Sequence, residues 1–326
     1  MAVWLRSSPS NHVASGSVSE CCTLDLVNMR IHKKAILIFF LLALFGFIIY
    51  RMSRPFDPTN LHQYKPRWGE DERLNIVFLF AVKSYPENYE LRKAVRETWG
   101  TYINPSSKSK ILFYMGLSSR PEVNIKVAEE SNHYEDIFQA QFIDSFERQS
   151  LCTLTAFKHI LVTYAQIRFL FKIEDSTFIN IPHLIRVLKS NEYLLRNFIM
   201  GRIINNTQPQ RDKKSPWYVS KDVYSPDFYP NYAQGFAYLF SGNLIQHFVQ
   251  ESFKVPLLGI EDIFVTGILA RNLNVNYIHS TKFGMPKDSC ENSLYIAIPH
   301  LYTVEDMKRV YMSVEVPNER CAEIKR

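Results

Sequence analysis

Glycine is scarce in this chain, at 11 of 326 residues. So few argue against a glycine-rich loop as the device that cradles phosphate. Cysteine is sparse as well. Cys21 and Cys22 lie near the N-terminus, and Cys152, Cys290 and Cys321 follow much later. No C-x-x-C pair occurs, which argues against a zinc ribbon. No internal repeat is present. A concentrated charge is also missing from most of the chain. The 38 Lys and Arg exceed the 32 Asp and Glu by 6, but residues 1–54 hold 6 basic and 2 acidic residues, a net of +4. The other 272 residues therefore carry 32 against 30, a net of +2. A nearly neutral body argues against a nucleic-acid binder. What is abundant is apolar: 46% hydrophobic and 14% aromatic residues exclude a disordered or fibrous chain.

Residues 35–50 (AILIFFLLALFGFIIY) form 16 positions without a charge. As a helix they would rise about 24 Å, slightly short of a hydrocarbon core. Lys34 and Arg51 flank the run and can snorkel to the two interfaces. A buried core helix or a cleaved signal peptide fits worse, because the run is apolar on every face and no A-x-A-like site follows it. The expected organisation is a tail at 1–34, a membrane anchor at 35–52, a proline-containing stem at 53–73 and one globular domain at 74–326. A short span suits the thinner membranes of the early secretory pathway. Three basic residues precede the run and four follow it nearby, so charge alone does not orient it. We take the N-terminus as cytoplasmic and the domain as lumenal. Three cysteines in that domain then allow one disulfide and leave one thiol, with the pairing open.

Within the domain, strand and helix signals alternate. Buried-strand runs are read at 75–82 (NIVFLFAV), 110–115 (KILFYM) and 168–173 (RFLFKI), with further strands at 198–204, 217–219, 275–278 and 294–298. Helices are read at 87–99, 151–164, 181–188, 243–253 behind Ser241 as N-cap, 261–272, and from Thr303 to Tyr311. This alternation predicts an α/β domain with a mostly parallel sheet flanked by helices.

Several residues suggest chemistry. Glu174 and Asp175 end a buried strand, where ligands of open α/β sheets bind. Taken alone, Glu174-Asp175-Ser176 also reads as an ordinary turn. Glu261 and Asp262 follow Gly259 and equally read as a helix start, which favours carboxylates. Arg92 and Arg96 share one helical face, either solvated or clamping phosphate. His300 alone reads as a surface residue.

In order along the chain stand RKAVRETWG (92–100), KIEDSTFIN (172–180), WYVS (217–220), YPNYAQGFAYLFSG (229–242), GIEDIFVTG (259–267) and IPH (298–300). This set resembles the β1,3-glycosyltransferase family, glycosyltransferase family 31, which includes β1,3-galactosyl- and β1,3-N-acetylglucosaminyltransferases. The resemblance runs from Asn75 to Tyr311. It implies a GT-A-like fold, Golgi type II membrane topology with the domain in the lumen, a UDP-sugar donor, Mn2+, and inverting transfer of galactose or N-acetylglucosamine to an acceptor glycan hydroxyl. By position, Asp262 matches the catalytic base. Arg92, Arg96, Glu174, Asp175, Trp217, Gly235 and Glu261 match the donor-binding segments, with Gly235 expected to let backbone approach the sugar. Asp175 and His300 match the metal site, and Cys290 a cysteine that often pairs. Three departures mark a divergent member. Ser176 replaces the third acid of the D-D-D block, Cys152 stands where Lys is usual in 148–153 (RQSLCT), and Phe236-Ala237 replaces Gly-Gly. Ser176 also leaves open a non-catalytic protein that binds glycan or assists a sister enzyme.

Overall fold

The computed structural model describes residues 78–103, 108–164, 167–190 and 197–316. The expected tail, anchor and stem lie outside the described residues. Among those described, no helix is long and apolar enough to cross a membrane.

A seven-stranded sheet organises the domain. Its strands are β1 (Phe78–Lys83), β2 (Ser109–Leu117), β3 (Ile137–Ile143), β4 (Phe169–Glu174), β6 (Phe198–Ile204), β7 (Tyr232–Ser241) and β8 (Asn276–His279). The spatial order is β3-β2-β1-β4-β7-β6-β8. β3, β2, β1 and β4 run parallel; β7 is antiparallel to both β4 and β6, and β8 runs parallel to β6. A small antiparallel ribbon pairs β5 (Phe178–Ile179) with β9 (Ala297–Ile298). The mostly parallel α/β reading therefore holds.

The sheet centre is legible in the residues that build it. Leu79 to Val82 on β1 and Phe169 to Ile173 on β4 are buried on both faces, so β1 reads as a continuous apolar run and β4 as one interrupted only by Lys172. The helices α1 (Tyr89–Glu97), α2 (Pro121–Tyr134), α3 (Gln149–Thr163), α4 (Ile181–Ser190), α5 (Leu244–Glu251) and α6 (Val304–Glu315) accompany it. Trp99 is wholly buried and donates from Nε1 to the Thr177 carbonyl at 3.1 Å, tying the turn after α1 to the β4–β5 corner. Next to it, a Cβ on Gly100 would meet the Val95 carbonyl oxygen at 2.6 Å, so no side chain fits there.

Four sequence expectations need correction. Residues 217–219 are not a strand but part of a loop with one isolated bridge, Gln210 to Tyr218. The Arg211 guanidinium takes the place of a ladder there, donating to the carbonyls of Val219, Tyr224 and Pro226. Ser241 caps no helix: its Oγ accepts from the Phe198 amide and closes the β6–β7 pair. The 261–272 helix has π geometry over Ile263–Leu269 before ending at Ala270–Asn272. The strand expected at 294–298 is shortened to Ala297–Ile298 by a 3-10 turn at Ser289–Leu294. Among the cysteines, Cys152 is free and buried, and burial pushes its thiol up to about 12. Cys290 is disulfide-bonded, with its partner outside the described residues.

Candidate active site

β1 leads to β2 and β3 on one side, while β4 lies on its other side. The chain thus changes direction between the carboxyl ends of β1 and β4, the crevice where open α/β sheets bind ligands. A cleft of about 460 Å³ opens there. Lys83 ends β1; Glu174 ends β4, with Asp175 and Ser176 in the turn after it; Gln234 and Gly235 come from the start of β7; Glu261 and Asp262 precede the π-helical segment. Trp217 and His300 also line the wall.

Asp262 is held by its own helix. Its Oδ1 accepts the Ile263 amide at 2.8 Å, and its carbonyl accepts Thr266 Oγ1 at 2.5 Å. Thr266 Oγ1 in turn accepts the Ala233 amide of β7 at 2.9 Å, which fastens the π-helical turn to that strand. The second carboxylate oxygen of Asp262 then lies against Gly235, 3.0 Å from where a Cβ would stand. Gly235 thus makes room for Asp262, where the sequence reading gave it the job of admitting a sugar. Burial, then the adjacent Glu261, pushes the Asp262 carboxyl up to about 7.

Beneath it lies a buried polar cluster. Lys172 Nζ sits 3.0 Å from Glu261 Oε2, with side chains only 3% and 4% exposed. Lys172 also donates to the Gly235 carbonyl at 2.6 Å, and the Tyr238 hydroxyl donates to Glu261 Oε1. Burial works to lower the Lys172 pKa, but Glu261 and Glu174 more than offset it, so the ammonium form is favoured. One side chain therefore fixes both the residue beside Asp262 and the backbone against which Asp262 rests.

Asp175 Oδ2 accepts from Ser84 Oγ at 2.7 Å and Asn88 Nδ2 at 2.9 Å. Burial raises its pKa despite those donors. His300 has a left-handed backbone, φ 66°, and its Nδ1 pairs with the Tyr302 hydroxyl at 2.9 Å. The Leu301 amide donates to the Ser176 carbonyl at 2.8 Å, which brings His300 beside the end of β4. Trp217 is 57% exposed and meets Phe146 edge-on at 6.3 Å.

The two arginines are placed elsewhere. Arg92 is 1% exposed, and its guanidinium forks onto Glu130 of α2 at 2.6 Å and 2.9 Å. It also donates to Ser84 Oγ and the Tyr85 carbonyl, so it sets the loop that holds Asp175 without lining the cleft. Arg96 chelates Asp136 with two 2.8 Å bonds and lies over the Tyr134 ring. Neither guanidinium is free to clamp a phosphate in the cleft.

A resident metal does not fit the donors present. Asp175 and His300 share the cleft wall, but Ser176 offers a neutral hydroxyl, a poor ligand for a hard cation. Among the described residues, no three His, Cys, Asp or Glu side chains gather as a metal set. Sequence reasoning passed over Lys83, Ser84, Asn88, Lys172 and Tyr238. A lysine inside an otherwise buried strand was the available signal, because such a charge requires a partner.

Comparison with known proteins follows the same span. A family model described as galactosyltransferase matches residues 90–281. Beta-1,3-galactosyltransferase 1 of Homo sapiens is 29% identical over 262 residues, covering 78% of this chain and 79% of that protein. The lactosylceramide 1,3-N-acetyl-beta-D-glucosaminyltransferase of Homo sapiens is 33% identical over 210 residues, 62% of this chain and 55% of its own length. A Danio rerio protein of that name, form B, is 35% identical over 214 residues with the same two coverages.

Proposed function

The chain belongs to the galactosyltransferase family, and on that premise we propose that it transfers galactose or N-acetylglucosamine from a UDP-sugar to an acceptor glycan hydroxyl, forming a β1,3 linkage with inversion. The observation that carries the reading is the Asp262 carboxyl, wedged against Gly235 in the cleft above the Lys172–Glu261 pair. Asp262 would take the proton from the acceptor hydroxyl as that oxygen attacks the anomeric carbon. The bond to UDP breaks on the opposite face. A base that titrates near the working pH suits this task. Asp175, held by Ser84 and Asn88, and Glu174 would orient the donor, and Trp217 with Phe146 offers aromatic faces to a sugar. The names of two relatives support a glycolipid as one class of acceptor. The apolar run at 35–50 supports a membrane anchor, and the family resemblance supports its type II orientation in a Golgi membrane.

Transfer from UDP-galactose or UDP-N-acetylglucosamine to simple β-glycosides by the purified protein tests the reading. Turnover that survives Asp262→Asn would remove Asp262 from the mechanism. A second reading rests on Ser176: a fold that binds glycan without turning it over. UDP binding together with no transfer to any acceptor would favour it.

A further inference from the structure

Beside the cleft lies a second cavity of about 290 Å³. The two share Phe146 and Ile260, and Trp217 of the cleft sits between Pro216 and Tyr218 of the cavity. The cavity's other walls come from the apolar Val219, Val223 and Leu258, with Glu147, Ser220 and Gly259 beside them.

Its backbone is already bonded elsewhere. The Val219 carbonyl accepts from Arg211 at 2.7 Å, and the Val219 amide donates to Gln210. The Leu258 carbonyl accepts from Ser150 Oγ at 2.5 Å, and that of Ile260 accepts the Phe264 amide. These carbonyls thus have partners within the protein, and the remaining surface is mainly apolar side chain. A peptide laid here would bury amides against that surface, which is costly. An alkyl chain would not. Arg211, fastened to three carbonyls, and Ser150 hold the walls in place without an occupant.

We infer that this cavity is an aglycone subsite. It takes the alkyl chain attached to the reducing end of an acceptor glycoside, while the sugar crosses the Phe146–Trp217 edge to reach Asp262. The inference rests on the glycosyl-transfer reading and adds an apolar aglycone as part of what the protein recognises. Val223 is 53% exposed and lines only the cavity, so it can be changed without disturbing core or cleft.

The test compares methyl and octyl β-glycosides of galactose and N-acetylglucosamine, below the octyl micelle concentration, with the full chain. Burying several methylenes predicts a KM at least about tenfold lower for the octyl form. Val223→Glu should remove most of that difference and leave the methyl KM unchanged, while Val223→Leu should keep it. Equal KM for methyl and octyl forms overturns the inference and leaves glycosyl transfer standing. A glycopeptide with an apolar side chain that outcompetes the octyl form also overturns it, in favour of a peptide. Where no acceptor is turned over, calorimetric binding decides instead. Octyl glycoside binding lost in Val223→Glu supports the cavity while the transfer reading fails; no binding overturns the inference.

Discussion

A single carboxyl group concentrates the chemistry at the residue scale. Asp262 combines a raised pKa with a position fixed by Ile263, Thr266 and Gly235. Its proton must be absent for it to act as a base, so kcat/KM should rise with pH through about 7 on the acid limb. Asp262→Asn should lower turnover by about 10² to 10⁴ and spare UDP binding. The same shift affects stability. A carboxyl whose folded pKa exceeds its unfolded value favours the fold when protonated, fully below about pH 4, and that contribution is lost as pH rises through about 7. Asp262→Asn should therefore melt at higher temperature than the native protein at pH 8 and differ little at pH 4. Ser176 gives a second prediction. With no carboxylate there, Mn2+ should tighten UDP binding to the native chain by less than about threefold, and Ser176→Asp should enlarge that effect by completing a hard-oxygen donor set. Strong Mn2+ dependence in the native chain, read by calorimetry, would contradict the donor analysis. Asp262 was legible in the sequence through its block. Lys172 was not, because a lysine in FLFKIE carries no sign of which distant carboxylate it meets.

At the scale of elements, the pair of arginines on α1 shows why sequence spacing misleads. Arg92 and Arg96 do share a face, as their i, i+4 spacing requires. That face meets Glu130 of α2 and Asp136 at the entry to β3, not an anion in the cleft. The sequence reading assigned neither α2 nor β3, so the partners were invisible. α2 buries only Val127 and Glu130, which leaves no broad apolar stripe to detect. The buried strands β1, β2 and β4, by contrast, announce themselves by apolar runs, broken in β4 by Lys172 alone, and the reading of β6 at 198–204 coincides with its observed bounds. The π-helical turn after Asp262 was hidden because π and α geometry share the same apolar composition. Arg92 also reaches Ser84, and Ser84 reaches Asp175, so the helix pair and the cleft wall are one connected structure. Arg92→Lys loses the fork that the buried Glu130 needs. It should cost about 3 kcal/mol of stability in denaturant titration, at the low end for breaking a buried pair because Arg96 remains beside Glu130. It should also weaken donor binding through Asp175, whereas Arg96→Lys should cost stability with little change in donor affinity.

At the scale of the whole molecule, the cleft draws its residues from Lys83 to Tyr302, inside the region expected to form the globular domain. The positive excess lies largely elsewhere: +4 in residues 1–54 against +2 in all that follows. Charge and greasiness are thus concentrated beside the 35–50 run, which points to separate tasks for the two regions. A chain beginning at residue 74 retains every side chain that lines the cleft and the cavity beside it. It should therefore be soluble without detergent and bind UDP with the affinity of the full chain. If residues 35–50 anchor the chain as proposed, the full chain should sediment with membranes and be released by detergent but not by carbonate at high pH. Two lysines placed in the run should abolish that retention, since each charge at the centre of a bilayer costs several kcal/mol. Release of the native full chain by carbonate would mean that residues 35–50 do not anchor it. Loss of UDP binding in the shortened chain would mean that the N-terminal region contributes to the fold.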